Sequence, residues 1–460
     1  MYKIGTIIIV AFICYALPVR GQQYPLPAVP DTSGTGRFIQ RTMHLLASST
    51  PEKKNTVKIL VYGQSISEQD WWLKVKRDLI VRFPDADIIM ENKAIGGFSS
   101  SLLVKTVEMD VSTFYPDLVL FHVYGDHNNY ELIIKTIRCS TAAEIALQTD
   151  HYNKKDDFSD KMAYEIIPAL SRKYGCEVID IRSAWKKYLD VNGYEPSKLL
   201  KDGVHLNEQG NFLMAELIKP FLQYKPNYKY DEFQLMTTYK VGTDVFIKGN
   251  TLRLPFTGNK VDIIAAETFS QVSKATVLVD GKKPSSFQGT YFMTRPYSDT
   301  NKGWPWTLPA MIRIEHQAPW INEEWTCTFI EVSPPFNDFT FEISGSKTGK
   351  DGLGRASEDF ISKSKRVIIK KGDAGSGGDW HLKRSFQVLK TIVQPGDIIK
   401  WKTYSNSTDL YTPKRNQDTS SEIITTLFQG IPNKNHVLTV RSTGKGVPIK
   451  EIRVYKPFIQ

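Results

Sequence analysis

The stretch VKILVYGQSISEQDWW, residues 57–72, decides the fold of the first half of this 460-residue chain. Its opening run is almost entirely β-branched, aliphatic or aromatic, which is typical of a strand covered on both faces, as in a parallel sheet. Gly63 ends the apolar run, and Ser65 follows at the carboxyl end of the predicted strand. Ser65 is therefore either a nucleophile at the edge of a sheet or a hydroxyl that caps the next helix.

The same alternation of strand and helix continues to about residue 224. Short apolar segments predict strands at 58–63, 86–91, 117–124, 143–148 and 177–181. The segments between and after them predict helices at 70–83, 130–138, 157–174 and 207–222. This pattern indicates an α/β fold, a three-layer α/β/α domain at 36–225 with five parallel strands. In such open sheets the reactive groups collect outside the carboxyl ends of the strands.

From residue 226 onward the chain changes character. Helical periodicity gives way to short alternating segments at 251–255, 275–279, 311–315, 325–331, 340–343, 366–369, 398–402 and 436–440. Turn-forming pairs such as Asp280-Gly281 and Pro395-Gly396 separate them. We predict that 226–460 is a β-rich region of one or two β-sandwiches with a carbohydrate-binding role.

Composition and charge exclude several classes of protein. The chain is 41% hydrophobic and carries 59 Lys and Arg against 49 Asp and Glu, a net charge of +10. These values predict two or three globular domains rather than a disordered or fibrous protein. The densest basic segment, KSKRVIIKK at 363–371, is interrupted by apolar residues, as a solvated strand face is. No signature of nucleic-acid binding accompanies it, so nucleic acid is not an expected partner.

The N-terminus has the pattern of a secretory signal peptide. Lys3 precedes an apolar run at 4–17 that is too short to span a bilayer, which predicts a signal peptide at 1–21 and a secreted or periplasmic protein without a membrane span. Ile13 is too large for a good lipoprotein cleavage site before Cys14, which disfavours a lipid anchor. Three widely spaced cysteines remain after cleavage, which indicates neither a disulfide framework nor a zinc site.

A nucleophilic Ser65 would need a base, a group that orients the base, and donors for the oxyanion. Asp202 and His205 are three positions apart, so one turn can direct both into the same cleft. Gly97 follows the second predicted strand, where a glycine amide can approach a substrate oxygen closely. After the third strand, His127 and Asn128 offer side-chain donors.

At these residues the sequence resembles the SGNH hydrolases, also called GDSL-type esterases, over residues 57–222. Gly63-Gln64-Ser65 matches the first family block, 92–97 the second, 125–128 the third and Asp202 to His205 the fourth. The resemblance implies a flavodoxin-like sheet and a Ser65, His205 and Asp202 triad that needs no metal or organic cofactor. It also implies an oxyanion hole formed by the amides of Ser65 and Gly97 with a side chain of the third block.

Two departures from the family pattern concern the site. Gln64 replaces the usual aspartate with a neutral residue of similar hydrogen-bonding reach. His127 occupies the place of the expected asparagine, and Asn128 matches only if the loop carries one extra residue. The second oxyanion donor is thus either Asn128 or His127. Loss of one such donor costs about a hundredfold or more in rate.

Tryptophans suggest the class of substrate. Trp71 follows the serine closely, and Trp304 and Trp306 lie in the loop NKGWPWTLP at 301–309. Flat aromatic faces stack on sugar rings, so these three residues are candidates for substrate binding. Amphipathic helices also bury tryptophan, so core packing is the alternative reading for each.

Together these features predict a secreted serine esterase that removes acyl groups, acetyl groups above all, from an acylated oligo- or polysaccharide. One alternative keeps the fold but has the Asp202 and His205 pair cleave a glycosidic bond without an acyl-enzyme. A second alternative is a glycan-binding surface protein without activity. His122 is predicted to be a core residue, and His151 either a loop residue or part of the cleft wall.

Overall fold

The computed structural model describes residues 24–266, 273–297, 309–390, 393–414, 420–444 and 447–459. The predicted signal peptide and the candidate residues Trp304 and Trp306 lie outside these ranges.

The N-terminal half is built on a five-stranded sheet in the order β2-β1-β3-β4-β5, with every neighbouring pair parallel. The strands are β1 (Thr56–Gly63), β2 (Asp87–Asn92), β3 (Leu118–His122), β4 (Glu144–Gln148) and β5 (Glu177–Ile179). This is the strand order of flavodoxin-like doubly wound folds, which confirms the predicted fold class.

Helices cover both faces of this sheet. They are α1 (Gln40–Ala47), α2 (Ser65–Glu68), α3 (Trp71–Arg82), α4 (Ser100–Leu103), α5 (His127–Ser140), α6 (Asp157–Lys161), α7 (Ile167–Tyr174), α8 (Ile181–Asn192) and α9 (Glu208–Ile218). Two π-helical segments, Glu108–Ser112 and Met162–Ile166, and the 3-10 turns Arg37–Ile39, Pro196–Leu199 and Lys219–Phe221 complete the set.

The four predicted helices are all present, but α1 and α8 were not predicted. The sequence pattern extended the fifth strand to residue 181, whereas the strand ends at Ile179. There Asp180 turns the chain into α8, because its carboxylate accepts a hydrogen bond from the Ser183 amide at 3.1 Å.

Strand β1 separates two hydrophobic cores. Val57, Ile59 and Val61 face one core, whereas Leu60 and Tyr62 face the other. Helices α3, α8 and α9 pack in the first core, and α5 and α7 pack in the second. The two-sided burial expected from the opening stretch is therefore confirmed.

Gly63 is required where β1 meets β3. It pairs with His122, and a Cβ on Gly63 would overlap the His122 carbonyl oxygen. We expect Gly63→Ala to lower the free energy of unfolding by about 1–3 kcal/mol or more, since backbone atoms must move to admit the methyl group. Thermal denaturation would measure this loss. Gly34→Ala, at a position with no atom within 4 Å, is the control that should leave the melting temperature unchanged.

The remainder of the chain is rich in antiparallel sheet, as predicted. Its strands are β6 (Met236–Lys240), β7 (Ile247–Lys248), β8 (Thr251–Ala265), β9 (Ala275–Val279), β10 (Tyr291–Met293), β11 (Glu315–His316), β12 (Glu323–Val332), β13 (Phe339–Gly345), β14 (Gly349–Arg355), β15 (Phe360–Ile361), β16 (Val367–Ile369), β17 (Ile398–Ser405), β18 (Leu410–Tyr411), β19 (Ile424–Ser442) and β20 (Ile449–Tyr455). One further helix, α10 (Leu382–Leu389), lies among them. The 3-10 turns here are Pro284–Ser286, Gln288–Thr290 and Ala374–Ser376.

These strands form two separate cores. The sheets β10-β17-β12-β13-β14 and β11-β16-β15 share one core. A larger sheet in the order β18-β9-β19-β8-β20-β6, with β7 paired to β8, encloses the other. The long strands β8 and β19 pair along most of their length and shift register at two places. The predicted strand at 311–315 is wrong for most of its length, because Met311 forms only an isolated bridge with Trp380.

A half-buried histidine makes the stability of the first of these β cores depend on pH. His316 Nε2 accepts a hydrogen bond from Trp401 Nε1 at 2.8 Å. Burial, with a further contribution from the positive charge of Arg366, lowers the pKa of His316 from 6.5 to about 4. In the unfolded chain this residue takes up its proton at higher pH. The stabilisation is therefore complete above pH 6.5 and is lost as the pH falls toward 4.

We expect His316 to account for a loss of about 2 kcal/mol in the free energy of unfolding between pH 7 and pH 5. Urea denaturation followed by tryptophan fluorescence at both pH values would measure it. His316→Gln keeps an acceptor for Trp401 but cannot take up a proton, so its pH dependence should be smaller by this amount. An equal pH dependence in both proteins would contradict the assignment.

Candidate active site

Ser65 begins helix α2 and does not cap it. The N-cap residue is Gln64, whose side-chain oxygen accepts a hydrogen bond from the Ile66 amide at 3.2 Å. Ser65 thus stands at the first helical position after β1, with its side chain partly exposed. Gln64 therefore caps α2, which excludes the interpretation of Ser65 as the capping residue.

Ser65, His205 and Asp202 form a continuous chain of hydrogen bonds. Ser65 Oγ lies 3.0 Å from His205 Nε2, and His205 Nδ1 lies 2.9 Å from Asp202 Oδ2. The two contacts use opposite nitrogens of one imidazole ring. An ionised Asp202 can only accept, so Nδ1 carries the proton and Nε2 is left as the acceptor for the Ser65 hydroxyl.

The loop at residues 202–205 fixes the carboxylate of Asp202. Its Oδ1 atom accepts hydrogen bonds from the amides of His205 at 2.7 Å and Val204 at 2.8 Å, which leaves Oδ2 for the imidazole. These two amides, followed by the His205 side chain, hold the pKa of Asp202 well below its usual range. Asp202 therefore remains a charged acceptor at neutral pH.

The Ser65 hydroxyl has two acceptors within reach but only one hydrogen. Besides His205, the Gln64 side-chain oxygen lies 2.7 Å from Ser65 Oγ. When Ser65 donates to Gln64, His205 Nε2 loses that hydrogen bond. When it donates to His205, the hydroxyl is oriented for transfer of its proton. The replacement of aspartate by Gln64 thus puts a neutral rather than a charged competitor beside the serine.

A buried histidine supports the Asp202 loop from behind. His151 Nε2 lies 2.9 Å from the Val204 carbonyl oxygen, and its Nδ1 lies 3.1 Å from Asp150. His122 contacts the same carboxylate at 3.2 Å. Desolvation alone would raise the pKa of Asp150, but the hydrogen bonds with His122 and His151 outweigh it and hold that pKa well below its usual range. His122 is a core residue, as predicted, and His151 lies in the loop after β4, where it is buried and supports the Asp202 loop.

Two amide side chains that the sequence did not single out fasten the serine and histidine segments together. Gln69 donates to the Leu206 carbonyl at 3.1 Å and accepts from the Leu206 amide at 3.0 Å. Asn211 accepts from the Trp71 amide at 3.1 Å. Both pairs join positions about 140 residues apart, so only the folded chain reveals them.

Gly97 lies in the loop after β2 with a left-handed backbone, at φ 75°. Asn92 holds this loop against α2, because its Nδ2 donates to the Ser67 carbonyl at 2.6 Å. The Glu68 carboxylate occupies the space that a Cβ on Gly96 would need. Burial raises the pKa of Glu68, while the Gly96 amide and His205 act in the opposite direction.

His127 and Asn128 occupy the first turn of α5, after the carboxyl end of β3. Asp126 caps this helix by accepting from the Asn129 amide at 2.9 Å. Both candidate side chains are exposed, and neither has a hydrogen bond to any residue in the described part of the chain. The choice between them as an oxyanion donor stays a prediction.

Trp71 is a correction to the sequence analysis. It is 1% exposed, and its Nε1 donates to the Ile66 carbonyl at 2.7 Å. A ring enclosed in the core between the sheet and α9 cannot stack on a sugar, so Trp71 is structural. The amphipathic spacing of α3 turned this residue inward.

The serine and histidine open into a cleft of about 910 Å³. Most of its lining is polar or charged, formed by Ser65, Glu68, Gln69, Asp70, Lys74, Lys201, Asp202, His205, Leu206, Asn207, Glu208 and Asn211. Within the residues that the structure describes, no three His, Cys, Asp or Glu side chains are grouped to hold a metal ion. Among the same residues, no helix has both the length and the apolar character needed to cross a membrane.

No protein-family model matches the sequence, and no curated protein matches it. Among solved structures, a two-domain esterase (CEX) active on acetylated mannans is 15% identical. That alignment covers 91% of this chain and 95% of the other, with a TM-score of 0.35. Axe2, an acetylxylan esterase from Geobacillus stearothermophilus, is 17% identical over 40% of this chain and 99% of its own, with a TM-score of 0.34.

The likeness to the SGNH hydrolases holds at the level of the fold. The first three sequence blocks follow β1, β2 and β3, and the fourth shortly precedes α9.

Proposed function

We propose that this protein is a secreted serine esterase that removes acyl groups, acetyl groups above all, from a carbohydrate. One observation carries the proposal: Ser65 Oγ, the His205 ring and the Asp202 carboxylate are joined by contacts of 3.0 and 2.9 Å at the edge of an open cleft. A serine linked in this way to a histidine and a carboxylate is the arrangement of acyl-transfer enzymes.

Ser65 Oγ would attack the acyl carbonyl carbon as its proton passes to His205 Nε2. Asp202 stabilises the imidazolium that forms, through the hydrogen bond at Nδ1. His205 then gives this proton to the departing sugar oxygen, which leaves the acyl group on Ser65. Water attacks the acyl-enzyme with His205 as base, and the free acid departs. The amides of Ser65 and Gly97, with Asn128 or His127, are the donors proposed for the oxyanion.

The lining of the cleft supports a carbohydrate as the alcohol part of the ester. Its amide and charged side chains match the donor and acceptor pattern of sugar hydroxyls. The reaction needs no group beyond the chain's own residues and water.

The experiment that tests the proposal is acetate release by the purified protein. Partially O-acetylated xylan and mannan oligosaccharides are suitable first substrates, with p-nitrophenyl acetate as a small ester. We expect the wild type to hydrolyse them and Ser65→Ala to be inactive. Absence of turnover by the wild type on every ester would refute the proposal.

A further inference from the structure

A basic side chain from the β-rich region reaches the loop that carries Gly97. Arg384 lies on α10, nearly 300 positions further along the chain. If Gly97 carried a Cβ, that atom would lie 3.4 Å from Arg384 Nη2 and 3.8 Å from Nε. The guanidinium is therefore packed beside one of the proposed oxyanion donors.

Contacts at the start of α10 fix the position of this helix. The His381 ring meets Phe98, the residue after Gly97, edge to face at 5.3 Å between centroids. On its other side, His381 Nδ1 lies 3.1 Å from the Pro309 carbonyl, and Ser385 Oγ donates to the same oxygen at 3.3 Å. The first turn of α10 is thus held against the Gly97 loop.

Further contacts dock the β-rich region onto the α/β half. Lys105 donates to the Gly377 carbonyl at 3.0 Å and lies 3.7 Å from the buried Asp379 carboxylate. Arg295 and Asp110 form an ion pair in which both side chains are fully buried. Because a buried ion pair is costly to break, these contacts resist separation of the two halves and keep Arg384 in place.

Arg384 itself is exposed and unpaired. Within the described ranges it has no hydrogen bond and no ion pair. A guanidinium presents five N–H donors in a planar fork, and here all of them remain available to a ligand. An unpaired arginine beside the Gly97 loop is placed to bind substrate.

We propose that Arg384 forms a sugar-binding subsite next to the acyl ester, a conclusion that rests on the proposed esterase function. The guanidinium lies on the side of Gly97 from which a side chain would project. The acyl oxygen would instead be held by the Gly97 amide N–H, so Arg384 does not compete for that oxygen and can contact the sugar.

Glu68 supplies a hydrogen-bond acceptor for this subsite. Its carboxylate covers Gly96, whereas Arg384 covers Gly97, so an acceptor and a donor flank adjacent residues of one loop. A hydroxyl both donates and accepts, so a pair of neighbouring sugar hydroxyls suits this arrangement. The ligand class is therefore a neutral, partly acetylated sugar unit.

Kinetics on two kinds of ester test the subsite. For Arg384→Ala, we expect kcat/KM on partially O-acetylated xylo- and manno-oligosaccharides to fall about 10- to 100-fold, the range for a hydrogen bond to a charged donor. On p-nitrophenyl acetate, which has no sugar, kcat/KM should stay within about twofold. Arg384→Lys keeps the charge but lacks the planar array of donors. Its kcat/KM on the oligosaccharides should therefore lie between those of the wild type and Arg384→Ala.

Lys383→Ala is the matched control, since Lys383 is an exposed cation on the same helix. It should leave both activities within about twofold of the wild type. Equal losses on both esters in Arg384→Ala would overturn the subsite, because the residue would then act on the chemical step or the fold. Unchanged activity on the oligosaccharides would overturn it as well.

Binding separates this inference from the proposed function. Calorimetric titration of Ser65→Ala with the same acetylated oligosaccharides needs no turnover. Adding Arg384→Ala to that variant should weaken Kd at least tenfold, and an unchanged Kd would refute the subsite. Failure of the esterase proposal would instead appear as absence of turnover by the wild type on both kinds of ester.

Discussion

Replacement of Ser65 by alanine is expected to lower kcat/KM for ester hydrolysis by about 10⁴- to 10⁶-fold, the range seen when the nucleophile of a hydrolytic triad is removed. Without Oγ no acyl-enzyme forms, and His205 has no hydroxyl to activate. The loss should be equal on p-nitrophenyl acetate and on acetylated oligosaccharides. Acetate release and p-nitrophenol absorbance measure the two reactions.

The fold should survive this substitution. Ser65 contributes its side chain only to contacts with Gln64 and His205, and Gln64 continues to cap α2. Circular dichroism and the melting temperature should therefore match the wild type. Ser67→Ala is a neighbouring control, since Ser67 Oγ makes only a long contact of 3.4 Å with a backbone carbonyl. Retained hydrolysis in Ser65→Ala would exclude Ser65 as the nucleophile.

Asp202→Asn is the second substitution with a large expected effect, a fall in kcat of about 10²- to 10⁴-fold. The asparagine oxygen can still accept from the amides of Val204 and His205, so the loop should keep its shape. The amide nitrogen would then face His205 Nδ1 and force the proton onto Nε2. An imidazole in that tautomer cannot accept the proton of Ser65.

Asp70→Asn is the matched control for this charge change. Asp70 is an exposed carboxylate in the same cleft and makes no capping hydrogen bond with its side chain. We expect its kcat within about twofold of the wild type. If Asp202→Asn retained more than about a third of the wild-type kcat, Asp202 would not orient the base.

Binding of glycan without turnover by the wild type would favour the alternative of a glycan-binding protein.

The α/β fold could be predicted because each strand carries its own signal. Strand β1 carries apolar residues on both of its faces. A strand needs this only in a sheet that is covered on both faces, so the pattern predicts such a sheet. Helix α8 did not appear in the sequence pattern because a local hydrogen bond decides where it starts. The Asp180 cap that starts α8 involves one side chain and no change in hydrophobic period.

The β-rich region was less predictable. Strands β8 and β19 are much longer than the predicted segments because each pairs with the other around register shifts. Such pairing is set by the partner strand, which lies far away in the sequence. The sequence predicts a strand at Met311 because this residue is apolar. An apolar residue can, however, be buried without belonging to a strand, as Met311 is.

The sequence by itself determined the parallel sheet, the order of the four blocks and the pairing of Asp202 with His205, because spacing within one turn fixes which side chains can meet. Only the tertiary structure decided that Gln64 rather than Ser65 caps α2, that Trp71 is buried, and that His151 and Gln69 hold the site from behind. It also brought Arg384 to Gly97. The contacts of His151, Gln69 and Arg384 join segments that lie far apart in the sequence. No periodic pattern links such segments, so only the packing of the folded chain decides which of them meet.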